Sequence, residues 1–166
     1  PRMLCIGTGP NKNLENLIAA VALLNCNLRI IGDINPTQQD ILNYHKISFS
    51  SATRLTEEQI VEEYRQTDIV SFVSLYEGFG LPILEAQASG RALITSNLHP
   101  MNDVAGKDAC LVDPYDIVSI YEGLQKIITN VEYRKILIRA GLKNSENFSS
   151  AAVSELYAEI YRKMSE

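Results

Sequence analysis

The chain has 166 residues, a length that fits one domain able to bury a full core without staples. Its composition is that of an ordinary globular protein, 46% hydrophobic and 21% charged. A formal net charge of -5 gives no electrostatic case for nucleic acid as a partner.

In chain order, short β-rich runs alternate with helical patterns. Residues 3–6 read as a strand and 13–24 as a helix, with Leu14, Leu17, Ile18 and Val21 on one face. Residues 28–31 form a second strand, ended by Gly32 and Asp33. A helix is expected over 36–44, with Pro36 in its first turn, and a short third strand over 46–49. Thr56 can cap the next helix, 57–66, with Gln59 as its capping-box partner. An apolar fourth strand covers 68–74, and a short helix over 82–89 closes at Gly90. Residues 92–95 and 109–112 are the fifth and sixth strands. Three helices follow. Their apolar stripes start at Ile117, at Tyr133 and at Val153, the last behind a Ser149/Ser150 cap.

Cys5, Cys26 and Cys110 are far apart and odd in number, which reads as buried free thiols. His45 and His99 stand alone, so no metal constellation is visible. The longest apolar run is far short of a membrane span. The chain opens at Pro1 where a strand begins, which reads as a segment cut from a longer protein.

The alternation predicts an α/β fold: a doubly wound, six-stranded parallel sheet, Rossmann-like, with extra C-terminal helices. The usual strand order, 3-2-1-4-5-6, puts a ligand crevice between strands 1 and 4. The loops bordering it are "GTGPNKN" and "LYEGFGLP", the two richest in glycine. Gly78 and Gly80 permit positive φ and close backbone approach. With Pro82 opening the next helix, the amides of residues 79–83 can face an anion. Lys12 can add a full charge, and together these fit a phosphate or diphosphate; a tight turn and a solvated lysine fit as well. Glu77 and Glu85 flank that loop, and the apolar surroundings of Glu85 predict burial. A carboxylate only accepts hydrogen bonds, so its natural partner is a sugar diol. One carboxylate on each side of a phosphate site matches ribose, diphosphate and hexose in a nucleotide sugar. The alternative is a loop charge at Glu77 and a helix-dipole charge at Glu85.

The run "EGFGLPILEAQASGRALITSN", Glu77 to Asn97, closely resembles the signature of the family-4 retaining glycosyltransferases. "IGTGPNKNLENLIAA", "LRIIGD" and "MNDVAGKDACLVDP" resemble further segments of that family, so the likeness covers nearly the whole chain, 1–166. It implies one half of a GT-B fold: the C-terminal, donor-binding domain, with the N-terminal acceptor domain absent from this chain. It implies transfer of a hexose from a nucleoside-diphosphate sugar, such as a UDP- or GDP-hexose, to a glycan or lipid-linked sugar. Retention would follow from front-face departure and attack, with no cofactor and no metal. Glu77 maps to the residue at the donor hexose and Lys12 to the one that neutralises the leaving diphosphate. Glu85 maps to the ribose ligand, the backbone of Gly78, Phe79, Gly80 and Leu81 to the sugar and diphosphate, and Arg54 and Leu55 to the nucleobase side. The resemblance further implies a cytoplasmic enzyme that reaches the inner face of the membrane through the missing domain, and a segment that is inactive alone.

Two positions depart from the family pattern. Gly7 stands where an arginine is usual, and Asp103 where glutamate is usual. "GTGPNK" begins like a dinucleotide fingerprint with Asp33 for a ribose, but Lys12 replaces the third glycine. A sugar-nucleotide epimerase of related fold, or a donor-binding module without transfer activity, would use the same site.

Overall fold

The computed structural model describes residues 1–106 and 109–165. Lys107, Asp108 and Glu166 lie outside it, and with the first two goes part of the segment 101–114 that carried the resemblance. The first half of the chain runs β1 (Arg2–Ile6), α1 (Leu14–Val21), β2 (Asn27–Ile31), α2 (Pro36–Tyr44), β3 (Phe49–Ala52), α3 (Glu57–Arg65) and β4 (Ile69–Phe72). It continues with α4 (Leu81–Ala88), β5 (Ala92–Ser96), α5 (Met101–Ala105), β6 (Cys110–Val112), α6 (Ile117–Thr129), α7 (Val131–Glu146) and α8 (Ser150–Met164).

The six strands form one sheet in the order β3-β2-β1-β4-β5-β6, and every pair is parallel. This is the expected doubly wound sheet with its switch point between β1 and β4. All residues of β4 and β5 are buried, as covered central strands require. One core cluster gathers Leu14, Leu17, Ile18, Leu42, Ile120, Leu124 and Leu137 against one face of the sheet. The other gathers Tyr64, Phe72, Ile83, Ala86, Met101 and Val104 on the opposite face. Thus α1, α2 and α6 cover one side and α3, α4 and α5 the other, while α7 places Leu137 in the first cluster and runs on to pack against α4. All three cysteines are free and buried.

Thr56 with Gln59 forms the expected reciprocal capping box and Ser149 caps α8, while Asn35 with Gln38 forms a second box that was not anticipated. Three elements differ from expectation. The third strand lies at Phe49–Ala52, not 46–49, because Lys46 and Ile47 are spent on ending α2. Their amides return to the carbonyls of Asn43 and Leu42, and Lys46 takes a left-handed φ of +53°. Helix α1 stops at Val21 rather than Leu24, and α5 had no counterpart among the expected elements. The stripe of α8 is exposed: Leu156, Tyr157, Ile160, Tyr161 and Met164 are each more than half accessible.

α7 is keyed to α4 by a buried amide. Gln87 donates to the carbonyl of Ala105 at 2.7 Å and accepts from Asn144 at 2.8 Å. Gly141 makes room for this side chain: a Cβ there would lie 2.9 Å from Gln87 Cγ.

Candidate active site

The two glycine-rich loops leave the C-terminal ends of β1 and β4 and are stitched together. The amide of Leu75 donates to the carbonyl of Asn11 at 2.8 Å. Asn11 Nδ2 donates to the carbonyl of Tyr76 and to Glu77 Oε1, both at 3.2 Å. Asn13 sits behind them, buried, in a left-handed conformation with φ +58°. Its amide donates to the carbonyls of Val73, at 3.1 Å, and Pro114, at 2.7 Å, so it joins the loops that follow β1, β4 and β6.

Lys12 lies at the centre of this arrangement. Its Nζ is 2.6 Å from Glu77 Oε1 and sits 4.7 Å from the centre of the Phe72 ring. The pair is mostly shielded, with the side chains 21% and 14% exposed. The lysine expected to stand free for a phosphate is therefore neutralised by the first glutamate of the motif. This also answers the repulsion a carboxylate would bring to an anion site, since Glu77 sits there as half of an ion pair. Gly7 makes the pose possible. It has a φ of +92°, and a Cβ on it would fall 2.8 Å from Lys12 Cε and 2.9 Å from Cγ. Lys12 thus lies flat over the position where the resemblance expects an arginine.

On the far side of the loop, α4 begins. Gly80 is its N-cap with φ +101°, as a glycine-dependent turn needs, and Pro82 stands in the first turn. Gly78 does not take a positive φ. Its value is emptiness instead, for a Cβ there would meet nothing within 4 Å. Among the described residues, the amides of Phe79, Gly80 and Leu81 have no acceptor. That of Ile83 returns to the carbonyl of Gly80 at 2.9 Å and Pro82 has no N–H, so the expected set of five open donors falls to three. Phe79 and Leu81 are exposed, and Phe79 meets Phe148 edge to face with ring centres 6.0 Å apart.

Glu85 is exposed, not buried as its apolar neighbours suggested. Helix α4 turns Ile83, Ala86 and Gln87 to the interior and leaves Glu85 on the side facing α3. There its Oε2 accepts from the hydroxyl of Tyr64 at 2.6 Å. Burial, then the contact with Glu85, pushes the Tyr64 phenol well above the usual tyrosine range, so it acts as a donor. Both groups line a groove of about 480 Å³ together with Leu55, Ile60, Val61 and Ala88. Arg54, with φ +54°, is exposed and does not line this groove. Asp103 pairs with His99 at 2.7 Å on the surface.

Sequence reasoning missed Asn11, Asn13 and Tyr64. Tyr64 falls four residues after Ile60 on the inner face of α3, so its period announces only a core aromatic. The asparagines lie in the loop 7–13, where asparagine is an ordinary turn residue and announces no bridging role.

A doubly wound parallel sheet, with two glycine-rich loops locked together at its switch point, defines a Rossmann-like domain, and the solved structures it matches make it one of the GT-B type. The chain belongs to the glycosyl transferases group 1, the family that its residues 3–144 match. It is 29% identical over 168 residues to the serotype-specific mannosyltransferase WbdA of Escherichia coli, a match covering 93% of this chain and 21% of that protein. In fold it matches the C-terminal domain of a glycosyl transferase group 1 family protein, LpcC, from Francisella tularensis. That likeness has a TM-score of 0.76 and 22% identity, over 88% of this chain and 84% of that one. It also matches Alr3699/HepE of Anabaena, solved in complex with UDP and glucose. Here the TM-score is 0.82 at 16% identity, over 98% of this chain and 48% of that one. The chain spans about a fifth of the length of the mannosyltransferase it matches.

Proposed function

We propose that this chain is the donor-binding half of a retaining hexosyltransferase that uses a nucleoside-diphosphate sugar. The observation that carries the reading is the meeting of Lys12 and Glu77 at 2.6 Å, beside the open amides of Phe79, Gly80 and Leu81. A diphosphate arriving there meets a lysine point charge and a helix N-terminus. Lys12 exchanges its carboxylate partner for phosphate, and Glu77 is released toward the hexose. Glu85, along the neighbouring groove, takes the ribose diol, with Leu55 on the nucleobase side.

In the transfer step the bond from the anomeric carbon to the β-phosphate oxygen breaks. The acceptor oxygen bonds to the same face of that carbon, and its proton passes to the departing phosphate. Charge develops on the hexose and on the diphosphate, where Glu77 and Lys12 respectively stabilise it. Lysine and helix amides serve this step without a metal. A second domain supplies the acceptor, a glycan or lipid-linked sugar, and this chain alone does not turn over. Such a reaction belongs in the cytoplasm, at the inner face of a membrane. The mannosyltransferase named above supports a mannosyl or related hexosyl donor.

Calorimetry with UDP, GDP and ADP tests the reading. One base should be clearly preferred, and Lys12→Ala should weaken that diphosphate about 10-fold more than its nucleoside. No binding of any of the three overturns the donor site. Equal losses for diphosphate and nucleoside would remove Lys12 from the phosphate.

A further inference from the structure

We propose that Tyr64 is a positioning residue whose hydroxyl holds the Glu85 carboxylate in the orientation that lets the site tell ribose from deoxyribose. The inference rests on the reading of Glu85 as the ribose ligand.

Three observations support it. Tyr64 is 2% exposed and its ring packs in the core cluster with Phe72, Ile83 and Ala86, so its hydroxyl is fixed in space. Glu85, by contrast, is an exposed side chain on the opposite wall of the groove. Left alone, such a glutamate samples many rotamers and loses that freedom on binding. The hydrogen bond to Tyr64 is the one that Glu85 makes through its side chain among the described residues, at 2.6 Å. A rigid donor thus grips one oxygen of a mobile acceptor.

The consequence is directional. With Oε2 engaged by the phenol, Oε1 of this groove-lining residue has no hydrogen-bond partner among the described residues, and Oε2 keeps a second lone pair. Two adjacent hydroxyls can then donate to two oxygens whose plane is already set. A lone hydroxyl gains only part of this. Leu55, Ile60, Val61 and Ala88 give the groove an apolar wall, and Glu57 and Ser89 are the other polar side chains that line it. A buried tyrosine hydroxyl also needs a partner, and a purely structural role would be that Glu85 satisfies Tyr64. The two roles predict different ligand responses.

The test compares GDP with 2′-deoxy-GDP, and UDP with 2′-deoxy-UDP, by calorimetry on the wild-type chain and on Tyr64→Phe, Glu85→Gln and the double variant. Tyr64→Phe keeps the ring and its packing. Thermal unfolding of each variant accompanies the titrations. The wild type should prefer the ribonucleotide. Tyr64→Phe should cut that preference about 10-fold, the deoxynucleotide losing much less affinity than the ribonucleotide. In Glu85→Gln the remaining carbonyl oxygen turns to Tyr64 and an amide donor turns to the ligand, so the preference should vanish. Tyr64→Phe added to Glu85→Gln should then change nothing further. An intact preference in Tyr64→Phe overturns the positioning role, and so do equal losses for ribo- and deoxynucleotide. A preference that survives Glu85→Gln overturns instead the underlying assignment of Glu85 to the ribose.

Discussion

Replacing Gly7 by alanine puts the geometry of the Lys12 pose to a quantitative test. The new Cβ enters a backbone with φ +92° and lies 2.8 Å from Lys12 Cε, 2.9 Å from Cγ and 3.1 Å from Cδ. Two separate costs arise. The strained backbone costs about 1–3 kcal/mol in any background. The displaced lysine loses its charged hydrogen bond to Glu77, which costs about 1 kcal/mol once partial exposure is discounted. Restricting the unfolded chain returns about 0.4–1 kcal/mol. The expected net destabilisation is therefore about 1–4 kcal/mol. In a Lys12→Ala background the second cost is absent, because the clash and the ion pair are already gone. Urea unfolding of the four proteins in this cycle should thus give a coupling of about 1 kcal/mol between the two sites. Identical losses in both backgrounds would mean that Lys12 does not lie over Gly7. A Gly7→Ala protein as stable as the wild type would refute the strained backbone as well.

Two further outcomes are expected. Glu77→Gln frees Lys12, so nucleoside diphosphate affinity of this chain should hold or rise, while kcat of the intact enzyme falls about 10²-fold; a drop in nucleotide affinity would contradict this. Burial raises the pKa of the Cys5 thiol from 9.0 to about 12 and shifts Cys26 and Cys110 upward too. Above pH 9 the unfolded chain releases these protons and the folded chain keeps them, so stability must fall as pH rises from 9 toward 12. The Cys5 thiol alone should bring the slope to about 1.4 kcal/mol per pH unit, and urea midpoints of Cys5→Ala should show a shallower alkaline decline.

The sheet was legible because its central strands are buried on both faces and stand out as short apolar runs, with helical stripes between them. The switch point followed from that order, and with it the meeting of the two loops. The errors have local causes. Phe49–Ala52 reads "FSSA", a polar edge strand with no hydrophobic alternation, whereas "KISF" looks more strand-like although its Lys46 and Ile47 close a helix. α5 is a five-residue helix with no capping side chain to announce it. At the site, residue types pointed to Lys12 and Glu77 as partners of a ligand, yet composition cannot say that they partner each other. The exposure of Glu85 depends on which way α4 faces, and α4 has so little amphipathic contrast that its sequence does not decide this. The role of Tyr64 was hidden because its hydroxyl meets a residue on a different helix.

The seam between the loops has a built-in reporter. The Leu75 amide donates to the Asn11 carbonyl just beyond the ends of β4 and β1. Its hydrogen can exchange with deuterated solvent only when that junction parts. If this proton exchanges as slowly as those in the β1–β4 ladder, the mouth of the crevice opens only when the sheet itself comes apart. If it exchanges faster, the two loops breathe as a unit of their own. Entry of a large ligand then needs no melting of the scaffold, and one backbone amide measures how often the mouth stands open.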